Sequence, residues 1–322
     1  MHILEKGDRK MKNGTKIALS GVIALSSLSL CVNQAQATQL TNVNSSHTIS
    51  QKAHTINDNN YMDKNFDLRK RCFALVGAAE DSETNYSKNY NSVSGDIHDG
   101  RGITAGIIGF TSGTSDMQEM LDYYSKISPG NPLDKDKANI NSIKTSKLKA
   151  DWHKAFDSDH DRFVAAQNYE VKKEVMNQAV KYAKEDGLSQ LGQYIYFDTL
   201  VKHGPGKNPN ARPKDWSFGD IREHAKQGLK TPAENGDEAS YLKNFVGKRY
   251  DAINDENQYN KEKHTGFDDK GTLDRLNVQM NLINQKNFEL RLPLDFKMND
   301  TNFHLDQKII DSYSDKDLAS LN

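Results

Sequence analysis

The sequence predicts a mainly helical fold of the α+β class, and three observations carry that expectation. Apolar residues recur three and four apart in most segments beyond residue 60, as in Leu68, Cys72, Leu75, Val76 and Ala79. Aromatic residues make up only 8% of the 322-residue chain and prolines number seven, a composition that favours helices over a sheet protein. One run, Ile103 to Phe110, reads instead as a strand or buried segment. Glycines at Gly106 and Gly109 interrupt it, so something must approach the backbone closely there.

The first 37 residues are set apart from the fold. Lys6, Arg9, Lys10, Lys12 and Lys16 form a basic start, Ile17 to Val32 an apolar stretch, and Ala35-Gln36-Ala37 a small-residue cleavage signature. The apolar stretch is short and serine-bearing for a membrane span. Met11 is an alternative start, and Leu30 before Cys31 is too large for a lipoprotein signal. The expectation is a secreted, extracellular protein cut after Ala37. Without that segment 38 basic residues face 42 acidic ones, a balance of −4 that argues against nucleic acid and suits a cationic partner. Only Cys72 then remains, among apolar residues, which excludes an internal disulfide and a cysteine metal site and fits a buried thiol.

Residues 38–60 are rich in Asn, Ser, Thr and Gln and read as a disordered leader. The roughly 260 residues that follow, 61–322, suffice for one large domain or two lobes, and they hold no internal repeat. The first helical run, with Asp63 as its expected N-cap, delivers Glu80 at its C-terminal end. There the helix dipole and the apolar neighbours both disfavour a carboxylate, which suits a proton donor. An ordinary solvated glutamate is the plainer alternative. Asp99-Gly100 is a turn signal beside the glycine-rich run, so Asp99 is either a turn aspartate bonding its own backbone or a rigidly held base. Glycoside hydrolysis needs such a pair, one carboxyl protonated and one ionised.

Ser115 and Gln118 form an expected capping box for a helix continued by Met117, Met120, Leu121 and Tyr124. Asp116 is its first-turn acid, a sufficient structural role. Ser128 to Pro132 breaks the chain and 134–149 reads as a polar connector. Asp157, Asp159 and Asp161 mimic a calcium loop, but Arg162 and Asn168 stand where that loop needs glycine and glutamate. Trp152 to Lys184 reads as one or two helices. Leu188, Leu191, Ile195 and Asp198 share a helix face, as do Leu242, Phe245, Val246, Arg249 and Ile253; Arg275 is a third inward-facing charge, on a helix with Leu276, Met280 and Ile283. Charges on apolar faces are costly unless paired, so a buried ion-pair network is expected. His203-Gly204-Pro205-Gly206 ends its helix; His203 either supports the helix end or touches a ligand. Thr231-Pro232-Ala233 reads as a turn and Gly236-Asp237-Glu238 as a helix start. Past Pro293 an irregular polar tail is expected.

These stretches together resemble the glycoside hydrolase family 46 chitosanases. The likeness runs from Ala79-Glu80-Asp81-Ser82 through Asp99-Gly100-Arg101-Gly102-Ile103-Thr104-Ala105-Gly106-Ile107-Ile108-Gly109-Phe110 and Ser112-Gly113-Thr114-Ser115-Asp116-Met117. It continues at His203-Gly204-Pro205-Gly206, Thr231-Pro232-Ala233, Gly236-Asp237-Glu238 and Tyr241-Leu242. It spans roughly residues 60 to 300. The resemblance implies a lysozyme-like, two-lobed helical fold with a small antiparallel sheet beside a cleft. It implies endo-hydrolysis of β-1,4 bonds between glucosamine units of chitosan, with inversion, by a monomer that needs no cofactor and no metal. Glu80 would be the general acid, Asp99 the general base, and Thr104 would help hold the water. Arg101, Asp96, Asp116 and His203 would bind substrate, while Asp198, Arg249 and Arg275 would form a network beside the acid.

The chain departs from the family pattern at Gly95, His98, Val93 and Val175, which bears on subsite preference rather than on the chemistry. Rival readings are a muramidase on the same fold, which needs a less acidic cleft, and a non-catalytic polysaccharide-binding protein, which the intact Glu80, Asp99 and Thr104 set opposes. A serine hydrolase does not fit, because Gly109-Phe110-Thr111-Ser112-Gly113 misplaces the serine for a nucleophile elbow.

Overall fold

A computed structural model describes residues 60–96, 100–266 and 270–321. The expected leader with its cleavage at Ala37 lies outside these residues, as does nearly all of 38–60; so do His98 and Asp99.

The first helix, α1 (Phe66–Asp81), starts two residues later than expected. Asn65 caps it, its side chain accepting from the Leu68 N–H at 2.9 Å. Asp63 sits in the preceding turn, where its carbonyl accepts from Arg69. Residues from Leu68 to Ala78 are buried along most of α1, so this helix runs through the core and reaches the surface at its two ends. A short α2 (Tyr86–Asn89) leads into three antiparallel strands, β1 (Val93–Asp96), β2 (Ile103–Ala105) and β3 (Phe110–Thr111), in that spatial order.

The run Ile103 to Phe110 is therefore a tight strand–turn–strand rather than one strand. Gly106 and Gly109 take φ of +84° and +72°, a conformation glycine adopts without steric cost. A Cβ at Gly106 would lie 2.6 Å from Gln167 Oε1, 2.8 Å from Phe110 and 3.0 Å from Trp152, which is the close approach that the sequence signalled.

Helix α3 (Ser115–Ile127) lacks the expected Ser115–Gln118 box. Thr114 occupies the cap position without a side-chain cap bond, and Gln118 donates to Asp122 instead. Asp116 supersedes the box: its carboxylate takes the Met117 N–H at 2.8 Å and the Thr111 N–H at 3.3 Å, tying β3 to α3. A 3₁₀ turn (Lys137–Ser142) and the start of α4 (Thr145–Ser158) occupy the supposed connector. Then α5 (His160–Val171), a π-helical turn (Lys172–Met176) and α6 (Asn177–Asp186) run nearly continuously. At the α4–α5 junction Asp159 accepts from Ser128 Oγ at 2.5 Å and Tyr124 OH at 3.0 Å, a structural use of that acidic stretch.

Four helices complete the core: α7 (Gln190–His203), α8 (Phe218–Lys226), α9 (Glu238–Lys263) and α10 (Lys270–Asn284). Asp237 caps α9 by accepting from the Ser240 N–H at 2.8 Å, as its position suggested. The tail is not irregular. Strands β4 (Leu294–Met298) and β5 (Thr301–Leu305) form a hairpin, followed by α11 (Gln307–Asp311) and α12 (Asp315–Ala319). Leu294, Phe296 and Met298 alternate with Asp295 and Lys297, and Asn299-Asp300 takes the left-handed turn that two-residue hairpins prefer. That period-two signal is short and lies beneath a polar composition. Cys72 is buried and free, its thiol pushed up to about 12 by burial. The described residues all fall within one compact unit, and none of their helices is long and apolar enough to cross a membrane.

Candidate active site

Helix α1 is held in the core by its apolar length, and its last turn carries Glu80 out to the surface of that core with a quarter of the side chain exposed. Arg275 of α10, itself only 3% exposed, forms an ion pair with Glu80. On its other side Arg275 Nε lies 3.7 Å from Asp198 Oδ1 of α7. Asp198 is fully buried and accepts from Arg249 Nη1 of α9 at 2.9 Å and from Gln279 Nε2 of α10 at 2.8 Å. Arg249 Nη1 also donates to Gln279 Oε1 at 2.8 Å. A charge chain Arg249–Asp198–Arg275–Glu80 thus crosses four helices and ends at Glu80.

Electrostatics follow from this alternation of sign. Burial works against the Asp198 carboxylate, but Arg275, Arg249 and Gln279 outweigh it and hold the group below the usual carboxylate range. Burial likewise opposes the Arg275 cation, and Asp198 with Glu80 more than offsets it. Arg249 has one anion beside it and Arg275 as a like charge, so burial lowers it on balance.

The sheet comes close to Glu80. A Cβ placed on Gly109 would lie 3.1 Å from Thr104 Cγ2 and 3.7 Å from Glu80 Oε2, so the bare Gly109 backbone sits between the strand threonine and the helix carboxylate. Asp99 falls outside the described residues. It belongs to the β1–β2 connection, whose ends are closed by the pairing of Asp96 with Ile103.

Beside Gly109 opens a cleft of about 430 Å³, and Arg101, Asp116 and His203 line it. Asp96 is exposed on β1 and is not part of that lining. Asp116 is largely spoken for: besides Thr111 and Met117, Thr114 Oγ1 donates to it, and burial raises it in spite of these bonds. Among the described residues His203 Nε2 is buried without a hydrogen-bond partner. Burial, then the cations Arg249, Lys202, Arg275 and Arg101, hold His203 well below its usual 6.5.

The structure also brings in residues that the sequence reading passed over. Glu170 and Glu174 line the same cleft. Glu170 shares an i, i+3, i+4, i+7 face with Phe163, Ala166 and Gln167, all buried, so the signal that exposed Asp198 and Arg249 was present there too. Asp81, next to Glu80, accepts from Ser92 Oγ at 2.6 Å and is pushed up to about 6, chiefly by burial and further by Glu80 and Glu83.

Residues 74–294 match the family described as glycosyl hydrolase family 46. The chain belongs to glycosyl hydrolase family 46. A family 46 protein is a glycoside hydrolase, and its mainly helical, lysozyme-like fold is the one that the sequence implied. The chain is 37% identical over 230 residues to a chitosanase of Nocardioides sp. (strain N106), which covers 70% of this chain and 76% of that protein. It is 40% identical over 185 residues to a chitosanase of Streptomyces sp. (strain N174), covering 56% and 64% respectively. Among solved structures, a co-crystal structure of chitosanase OU01 with substrate superposes with a TM-score of 0.63 at 32% identity, over 74% of this chain and 96% of that one.

Proposed function

We propose that this family 46 member is a secreted, monomeric endo-chitosanase that hydrolyses β-1,4 bonds between glucosamine units with inversion at the anomeric carbon. One observation carries the reading: a part-exposed carboxylate, Glu80, is gripped by a buried arginine whose charge is counterbalanced from behind by Asp198, and it lies close to Gly109, which lines the neighbouring cleft. Such a grip fixes the carboxyl in place while leaving it in reach of a glycosidic oxygen. Glu80 then protonates the leaving oxygen. Asp99, on the β1–β2 connection, removes a proton from water on the opposite face of the sugar, and Thr104 helps hold that water. An inverting pair must stand far enough apart to admit the water. Arg101, Asp116 and His203 border the sugar path, where Asp116, Glu170 and Glu174 stand against Arg101 and Lys202 and offer acceptors to a polyamine. The relatives named above, one of them solved with substrate, support the choice of chitosan.

The test is digestion of chitosan beside chitin and bacterial cell walls, with products sized. Glu80→Gln and Asp99→Asn should each remove nearly all turnover while the protein stays folded, because an amide neither donates the proton nor activates the water. Retention of a tenth or more of wild-type turnover by either variant overturns that assignment. Clearing of cell walls without chitosan cleavage would favour a muramidase.

A further inference from the structure

Away from Glu80, the wall of the cleft holds a second charged cluster built on three elements. Glu119 of α3, Glu170 of α5 and Glu174 of the π-helical turn bring one carboxylate oxygen each within 4.8 Å of one another. Lys173 reaches into this group: Nζ is 3.0 Å from Glu174 Oε1 and 3.4 Å from Glu170 Oε1, and it pairs closely with Glu119. One ammonium is thus shared among three acids, two of them, Glu119 and Glu174, part-exposed.

Two further observations set this apart from an ordinary acidic surface. The Glu170 side chain is 1% exposed, and among the described residues its Oε2 is buried without a hydrogen-bond partner. A buried carboxylate oxygen without a donor is costly, so the site favours a cationic donor brought in from outside. Glu170 is also pushed up to about 7, by burial first and then by Glu119 and Glu174, although Lys173 stands beside it; the local positive charge is insufficient. Independently, residues 172–176 leave the α-helical register for a π turn, a local irregularity common at functional sites, and it is this turn that carries Lys173 and Glu174. Glu170 and Glu174 face the cleft that Gly109 and Asp116 share.

We propose that Glu170 and Glu174, with Glu119 behind them, form an ammonium-binding subsite that takes the C2 ammonium of one glucosamine unit of the bound chain. The inference rests on the chitosan reading above and adds a position to it. Lys173 Nζ marks the spot: an ammonium at hydrogen-bond distance from several carboxylate oxygens is what the substrate offers. A divalent metal suits the place less well, since hard cations such as calcium need six or more oxygen ligands. The sugar ammonium would bond the free Glu170 Oε2 and share Glu174 with Lys173. An N-acetylated unit presents no cation there, so the site would favour deacetylated sugar.

The experiment measures binding of a fully deacetylated glucosamine hexamer to the full chain carrying Glu80→Gln, by calorimetry at low and high salt. Adding Glu174→Gln should weaken binding by about tenfold at low salt and flatten its salt dependence, as expected for loss of one charge contact, and Glu170→Gln should weaken it as well. Adding Lys173→Gln should tighten it, since a competing ammonium is gone. Unchanged affinity in Glu174→Gln, at an unchanged melting temperature, overturns the proposal. So does weaker binding in Lys173→Gln, which would make the cluster a structural clamp. Glu174 is 30% exposed, so its variant carries the test even where Glu170→Gln fails to fold. No binding of the hexamer to the Glu80→Gln chain would instead overturn the chitosan reading itself.

Discussion

Removing Asp198 should damage stability and catalysis together, and the geometry sets the size of the effect. Asp198 is fully buried between two arginines, with Arg249 Nη1 at 2.9 Å and Gln279 Nε2 at 2.8 Å. Asp198→Ala leaves Arg249 buried with only Gln279 as a polar partner and Arg275 with Glu80 as its one anion. Breaking one partner of a buried pair costs about 3–5 kcal/mol. For a domain of this size each kcal/mol corresponds to about 2–4 °C in Tm, so the expected loss is about 6–20 °C. Catalysis should fall through kcat, because Arg275, no longer held from behind, stops fixing the Glu80 carboxyl. Arg249→Ala should give a similar loss of Tm, since it orphans Asp198 in turn. The double variant removes both orphans, so its loss should be smaller than the sum of the singles, with a coupling of about 0.5–3 kcal/mol. The assay is thermal unfolding of all four proteins with chitosan turnover measured alongside. Strictly additive losses would refute the network as an energetic unit.

Three other outcomes are expected. Asp81 has a folded-state pKa of about 6 against an ordinary 3.8, so the fold holds its proton more tightly than the unfolded chain does and loses stability as pH rises from about 4 to 6. The gap of roughly two pH units amounts to about 3 kcal/mol, so Asp81→Asn, which keeps an acceptor for Ser92, should raise Tm at pH 7 and leave it unchanged near pH 4; parallel pH–Tm curves would refute this. Gly106→Ala places a Cβ against Gln167, Phe110 and Trp152 at a φ of +84° and should cost about 2–5 kcal/mol. Gly130→Ala, at φ +77° with nothing within 4 Å, should lose only the backbone part, and equal losses in calorimetric unfolding would contradict the crowding argument. Proton NMR of early chitosan digests should show the α-anomer first; early β-product, or a trapped glycosyl-enzyme, would show double displacement instead.

Much of the site is written in local pattern. Apolar spacing along one helix places Glu80 at the end of α1, where the buried run gives way to part-exposed residues. Asp198 and Arg249 betray themselves as charges on apolar faces, which are tolerable only when they meet, and they do. The glycines at Gly106 and Gly109 announce a close approach before its partners are known. Tertiary structure decides what pairing and competition determine. Asp116 outbids Ser115 for the first N–H groups of α3, and Asn65 replaces Asp63 as the cap of α1, since a cap depends on where the chain turns as much as on residue type. The β4–β5 hairpin lies hidden in a polar tail because two short strands gain stability from each other, from α10 and, through Asn299, from the end of α1. Gln279 shares the apolar face of Leu276 and Ile283, but its bridging of Asp198 and Arg249 is not written there, and Glu119, the third acid around Lys173, carries no mark in sequence. Their roles come from residues dozens of positions away, brought within about 3 Å by folding, and no local periodicity encodes that distance.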